Sequence, residues 1–257
     1  MDLRVRYIEL LKRSLIDVLG PTMTRAVAQP NGEVRIECVP ETERDERLVG
    51  RDWPANGTTM VGLARLTNLQ RCIETVLDDD VPGDLIETGV WRGGATIFTR
   101  ALLDVHGGVE RLVWAADSFT GLPEPDPTLY PADEGDLHHT VHYLAVSLEE
   151  VERNFLRYGI ATDRVRFLPG WFRDTLPTVI GEKWSLIRLD GDMYESTMLG
   201  LECLYHRLSP GGFVIVDDYG AIDVCRRAVD DFRSRNDIDE ALEWIDWTGV
   251  CWRKVAS

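Results

Sequence analysis

Two short runs concentrate carboxylates, Leu189-Asp190-Gly191-Asp192 and Val216-Asp217-Asp218. Each closes a hydrophobic stretch (184–190 and 212–218) of the kind that forms a buried strand, so each acid pair falls at a strand's carboxyl end. If these strands are neighbours, four acids surround one cleft. Uncompensated, such charges raise one another's pKa or demand a counter-ion. A divalent cation answers that repulsion, and all-oxygen ligands in a site partly open to water suit Mg²⁺ better than Ca²⁺. The Asp-Gly-Asp spacing resembles the start of a calcium loop, but the rest of that motif is absent. Taken singly, Asp192 or Asp218 could be an N-cap of the following helix. Capping accounts for one acid per helix, not two at each of two successive strands.

Three earlier strand ends are chemically marked as well. The first carries Glu87-Thr88-Gly89-Val90-Trp91-Arg92-Gly93-Gly94, whose glycines permit a tight turn and close approach of a ligand to the backbone. It is neither a dinucleotide fingerprint nor a phosphate loop. The acid before the turn would repel a pyrophosphate and attract an ammonium, which favours the amino-acid part of S-adenosylmethionine over NAD. The second ends in Ala116-Asp117-Ser118-Phe119, where a carboxylate can accept both ribose hydroxyls. The third ends in Gly170-Trp171-Phe172, whose rings could wall an adenine. Alone, Asp117 or Trp171 could be an ordinary strand-end residue; the ordered series marks a cofactor site. Together the parts suit methylation of a hydroxyl. A cation lowers the hydroxyl's pKa, a carboxylate or imidazole takes its proton, and positioning does the rest.

The elements that must hold these residues read as an α/β domain. Short apolar runs at 84–90, 111–119, 164–171, 184–190 and 212–218 alternate with helical stretches at 94–105, 147–158, 195–207 and 222–235. This is the pattern of a parallel sheet covered on both faces. The tail, 242–256, reads as an antiparallel hairpin around Thr248-Gly249. Upstream, apolar residues from Leu3 to Val18 recur at helical spacing until Gly20-Pro21, and a second helix is expected from about Met60 to Leu77. Residues 22–58 read as a loop-rich linker with at most a short helix. Residues 120–146, with four prolines and the cluster His138, His139 and His142, are too long for a routine connection and read as a lid.

The 257 residues allow one large domain, or at most two small ones. A formal charge of −16 argues against nucleic acid and anionic membrane surfaces as partners. The five cysteines are an odd number with no C-x-x-C, so free thiols in a reducing cytoplasm are expected. The N-terminus lacks a signal peptide's apolar core, and no window approaches a membrane span.

With these residues in view, the chain resembles the macrocin-type O-methyltransferases, which methylate deoxysugars on macrolide and aminocoumarin antibiotics. The carriers run from Thr58 to Trp252: TTMVGLARLTNLQRC, VPGDLIETGVWRGGATIF, VWAADSFTGLP, NFLRYG, VRFLPGWFRDTLP, LIRLDGDMYEST, LSPGGFVIVDDY and GVCWRK. The resemblance implies a class I S-adenosylmethionine-dependent methyltransferase fold, Rossmann-like, with a mostly parallel seven-stranded sheet and a C-terminal antiparallel hairpin. It implies residues 58–257 as the catalytic domain and 1–57 as an N-terminal cap or oligomerisation segment. It further implies S-adenosylmethionine and Mg²⁺ as cofactors, a small-molecule glycoside as acceptor, and a homo-oligomer, dimer or tetramer. By position, Asp190, Asp217 and Asp218 fall on metal ligands and Asp192 on a general base, with His138 of the lid competing for that role. Glu87, Asp117, Ser118, Trp171 and Phe172 fall on cofactor contacts, with Thr88, Gly89, Val90, Trp91, Phe119, Gly170 and Asp190 in the same motifs. Thr59 and Met60 fall on the helix entry that covers the cofactor. His139 and His142 read as solvated loop residues. A catechol- or flavonoid-type O-methyltransferase is the alternative enzyme. An NAD-dependent oxidoreductase or nucleotide-binding module is disfavoured by Glu87 and the missing phosphate loop.

Overall fold

The computed structural model describes residues 2–29 and 31–255. Helix α1 (Leu3–Leu15) is capped by Asp2, whose side chain accepts from the Arg4 amide at 3.3 Å, and it buries Ile8, Leu11 and Leu15 against the main domain. The next segment is not the loop-rich linker that the sequence suggests. Strands β1 (Thr24–Ala28) and β2 (Val34–Cys38) pair antiparallel, short helix α2 (Arg44–Leu48) follows, and β3 (Trp53–Pro54) returns to the other edge of β1. Hydrophobic alternation misses this sheet because charge holds much of it. Arg25 on β1 bonds Glu37 at 2.8 Å and Glu43 at 2.6 Å. Buried Arg47 joins Asp52 at 2.5 Å and donates to the carbonyls of Ile16 and Thr24.

The remaining elements alternate as expected: α3 (Leu63–Asp78), β4 (Asp84–Thr88), α4 (Gly94–His106), β5 (Val113–Asp117), α5 (Leu148–Arg157), β6 (Val165–Pro169), α6 (Phe172–Thr175), β7 (Trp184–Leu189), α7 (Tyr194–Leu204), β8 (Leu208–Val216), α8 (Asp223–Arg235), β9 (Glu243–Trp244) and β10 (Val250–Arg253). The last two form the antiparallel tail, of which Ala256 lies outside the described residues. The sheet runs β6-β5-β4-β7-β8-β10-β9, with the first five strands parallel and the last two antiparallel. Alternation along each strand divides its side chains between two cores. Leu85, Val113, Leu186 and Ile215 face Leu66, Phe98 and Leu102; Ile86, Ile187 and Val214 face Met198, Leu201, Val229 and Phe232. Covered on both faces, the six residues of β7 are all buried.

Strand β4 lies between β5 and β7, so the order reverses there and a crevice opens beyond the carboxyl ends of the strands. Gly89 is necessary at that point. Its φ is +86°, and a side chain would overlap the carbonyl oxygen of Asp190 on the neighbouring strand end. Residues 120–146 cover the crevice with three 3₁₀ turns, at 131–133, 138–140 and 142–144. Among the described residues no helix is long and apolar enough to cross a membrane.

Candidate active site

Strands β7 and β8 are parallel neighbours with Leu189 opposite Val216, so the two acid pairs leave the sheet side by side. Oxygens of Asp190, Asp217 and Asp218 lie within 4.8 Å of one another. Neither Asp192 nor Asp218 caps a helix. The first amides of α7, those of Tyr194 and Glu195, donate to Asp133 of the lid at 2.7 and 2.9 Å, and α8 has Ile222 at its N-cap position with no side-chain cap. Asp192 stands in the left-handed region, at φ +61°, which Asp tolerates better than most residues with a side chain.

Two of the four acids, Asp190 and Asp217, are paired with buried guanidinium groups, which the charge argument did not foresee. Arg188, itself on β7 and 4% exposed at its side chain, donates to Glu87 at 2.7 Å, Asp190 at 2.8 Å and Asp217 at 2.5 Å. Arg65 of α3 reaches the second oxygen of Asp217, and also bonds Asp246 of the tail at 3.0 Å and the Gly50 carbonyl at 3.1 Å. Burial works against the charge of Arg188, but Asp217, Asp190 and Glu87 hold its pKa well above the usual guanidinium range. Arg188 alternates onto the Arg65 side of the sheet, and only the strand register places it under the acids.

Two guanidinium groups still leave the cluster short of positive charge. Burial, then the neighbouring carboxylates, raise the pKa of Asp190 and push Asp218 well above the carboxylate range. Asp192 is pushed up to about 7 by burial first and by Asp190 next. One Asp218 oxygen, Oδ2, is buried with no hydrogen-bond partner among the described residues. An orphaned buried carboxylate oxygen beside two further acids is a donor set that fits a hard cation.

The crevice beside these acids is a cleft of about 760 Å³, including the part open to solvent. Of the residues read from the sequence as cofactor contacts, Met60, Gly89, Trp91, Asp117, Ser118, Trp171, Phe172 and Asp190 form its wall. Asp192 joins them. Thr59, Glu87, Thr88, Val90, Phe119 and Gly170 are not among its lining residues. Glu87 is engaged within the protein. Its carboxylate is bonded to Thr96 and Arg188, and burial, partly offset by Arg188, pushes its pKa up to about 7. These bonds tie it to α4 and β7. Asp117 also works partly within the protein. Oδ2 accepts from the amides of Val90 at 2.7 Å and Trp91 at 3.2 Å, and Oδ1 from Phe119 at 2.7 Å. These bonds hold Trp91 (φ +46°) and Phe119 (φ +55°) in the left-handed region at the rim. Asp117 Oδ1 keeps a lone pair for a further donor, while both lone pairs of Oδ2 are taken.

His138 lies outside the cleft wall. Its Nδ1 is 2.7 Å from Asp136, which raises its pKa, and Asp192 adds to that field. His139 is half-buried and His142 exposed. The lid is fastened at several points that sequence patterning did not disclose. The Trp91 indole donates to the Tyr143 carbonyl at 3.1 Å, the Tyr143 hydroxyl to the Pro54 carbonyl at 2.7 Å, and the Tyr143 ring stacks on Trp53. Arg92 lies over the rings of Trp91 and Tyr143 and donates to the carbonyls of Ala55 and Gly57. The Trp91-Arg92 step in a Gly-rich turn is the only local sequence signal for this knot, and it is weak.

A parallel sheet reversing at β4, glycine at its first turn, acids at two further strand ends and an antiparallel tail define a class I S-adenosylmethionine-dependent methyltransferase. The comparisons agree. The solved O-methyltransferase NovP aligns with a TM-score of 0.87 at 44% identity, covering 98% of this chain and 100% of its own. The calicheamicin methyltransferase CalS11 shares the fold at a TM-score of 0.61 and 20% identity, over 98% of this chain and 96% of its own. The macrocin-O-methyltransferase (TylF) family profile matches residues 4–254, and the chain belongs to that family. It is 52% identical over 257 residues, 100% of this chain and 95% of the relative, to the 8-demethyl-8-(2,3-dimethoxy-alpha-L-rhamnosyl)-tetracenomycin-C 4'-O-methyltransferase of Streptomyces olivaceus. It is 45% identical to the mycinamicin III 3''-O-methyltransferase of Micromonospora griseorubida, over 97% of this chain and 96% of the relative. The chain is therefore an S-adenosylmethionine-dependent O-methyltransferase.

Proposed function

We propose that the enzyme methylates a hydroxyl of a deoxysugar carried by a glycosylated natural product, with the acceptor seated between the acid cluster and the lid. The observation that carries the reading is the gathering of Asp190, Asp217 and Asp218 oxygens within 4.8 Å, with Asp190 in the wall of the cofactor cleft and Asp218 Oδ2 buried without a hydrogen-bond partner among the described residues. In this reading these three acids hold Mg²⁺, which when bound supplies positive charge that lowers the pKa of a sugar hydroxyl. Two vicinal hydroxyls suit such a site, and the named relatives act on glycosides.

The chain's own residues do the remainder. Asp192 faces the cleft with a raised pKa and takes the hydroxyl proton; His138, held by Asp136 outside the wall, sets the field around it. The turn at Gly89 lets the methionine part of the cofactor approach the backbone, Asp117 accepts from the ribose, and Trp171 with Phe172 walls the adenine. Residues 1–57 and the lid at 120–146 act as one cap over the acceptor. The Trp53–Tyr143 stack and the bond from the His142 amide to the Gly32 carbonyl at 3.3 Å support that union.

A panel of glycosides and simple catechols, read by the mass gain of one methyl group, tests the acceptor class. Turnover of a catechol without any glycoside would move the reading to the phenol-methylating alternative. Chelation by EDTA should abolish turnover and Mg²⁺ restore it, while Asp190→Asn should stay inactive at saturating cofactor. Full activity in chelator would remove the cation from the account.

A further inference from the structure

Glu195 is a buried acid that the chemistry above does not use. It is 4% exposed and forms part of the cleft wall. Its amide is taken by Asp133, but among the described residues nothing donates a hydrogen bond to its carboxylate. The nearest cation, Arg173 Nη1, stands 3.8 Å away on a side chain that is 43% exposed. A carboxylate removed from water without a donor is costly, so a donor belongs in the space it faces.

Its place in the fold narrows what that donor is. A side chain added to Gly191 would meet Ser196 at 2.8 Å and the Phe172 ring at 3.3 Å, so the first turn of α7 abuts the strand end of β6. There Trp171, Phe172, Leu122, Pro123 and Leu199 make an apolar stretch of wall, with Glu195 at its border. An apolar slot with a carboxylate at its edge suits a flat ring carrying an N–H on its rim; the Ser196 hydroxyl in the same wall both donates and accepts, so it does not select between an amine and an oxo group. The acceptor sugar answers poorly, because its hydroxyls belong beside Asp190, Asp217 and Asp218.

We propose that Glu195 accepts a hydrogen bond from the exocyclic amine of the cofactor's adenine and so selects a 6-aminopurine over a 6-oxopurine. An oxo group would set its oxygen against the carboxylate and leave both unpaired. The inference rests on the placing of the adenine at Trp171 and Phe172 given above.

Titration calorimetry with S-adenosylhomocysteine and S-inosylhomocysteine, on the full chain without acceptor, tests it. The wild type should bind the adenosyl compound about 30-fold more tightly, the range of one bond to a charged group. In Glu195→Gln, whose amide both accepts and donates, that preference should fall to within about threefold. Glu195→Asp, which withdraws the carboxylate by one methylene, should lose about tenfold in adenosyl affinity with little change for the inosyl compound. Trp171→Ala should weaken both compounds alike. A wild type without preference, or a Gln variant that keeps it despite a lowered melting temperature, overturns the proposal and leaves Glu195 a structural partner of Arg173. If Trp171→Ala also changes neither affinity, the adenine placement itself fails.

Discussion

Replacing Arg188 by Lys probes the electrostatic centre of the molecule while preserving its charge. The guanidinium spans three carboxylates on three strands, donating to Glu87 at 2.7 Å, Asp190 at 2.8 Å and Asp217 at 2.5 Å. A lysine ammonium is a single point on a shorter fork, and in a site this buried it can keep one of those bonds well. Two charge-assisted bonds, worth roughly 1.5–3 kcal/mol each, are then lost, so about 3–6 kcal/mol of destabilisation is expected. Breaking a buried ion pair costs about 3–5 kcal/mol, a similar figure. For a chain of this size that is a fall in melting temperature of roughly 6–24 °C. The assay is thermal and urea unfolding of wild type, Arg188→Lys, Glu87→Gln and the double variant. Because Glu87 and Arg188 touch, the cycle should show a coupling of about 1–3 kcal/mol, with Glu87→Gln costing less in the Lys background. Additive effects, or a single-variant loss below about 1 kcal/mol, would refute the claim that Arg188 holds the acid cluster together.

Three further outcomes follow from the same geometry. Asp133→Ala removes both side-chain bonds to the α7 amides and should cost about 1–2 kcal/mol by urea unfolding, with a raised acceptor KM because the lid loses its anchor on the catalytic loop. Gly89→Ala requires a methyl where the Asp190 carbonyl oxygen lies, at φ +86°, and should abolish S-adenosylhomocysteine binding in calorimetry while circular dichroism shows retained strands. The Asp136–His138 pair makes lid closure pH-dependent. His138 has a raised folded pKa, so its contribution is complete below the unfolded value of about 6.5 and is lost as pH rises through the folded value. Asp136 is lowered by His138 despite its burial, so the acid limit lies below about 3.8. Limited proteolysis of the lid should therefore speed up as pH rises above about 6.5 in the wild type and stay flat in His138→Gln.

Much of the scaffold was legible because its signals are local. Apolar runs of strand length separated by amphipathic helices force a parallel sheet, and the acids following Leu189 and Val216 sit at strand ends for the same reason. The small sheet of residues 24–54 was not legible, since its strands are five residues or fewer and Arg25 and Arg47 hold it through charge. Asp133 escaped notice because its partners are the amides of residues 61 and 62 positions away.

The sequence alone determined which residues stand at the strand ends, since each position follows from its neighbours within a few residues. It therefore named Asp190, Asp192, Asp217 and Asp218 as one group and Asp117 and Trp171 as cleft residues. Only the tertiary structure decided how those charges are balanced. Arg188 meets Glu87 across 101 residues and Arg65 meets Asp217 across 152, and no local pattern encodes which buried cation faces which acid. The same long-range packing gave Glu87 its partners Thr96 and Arg188, which no local pattern shows.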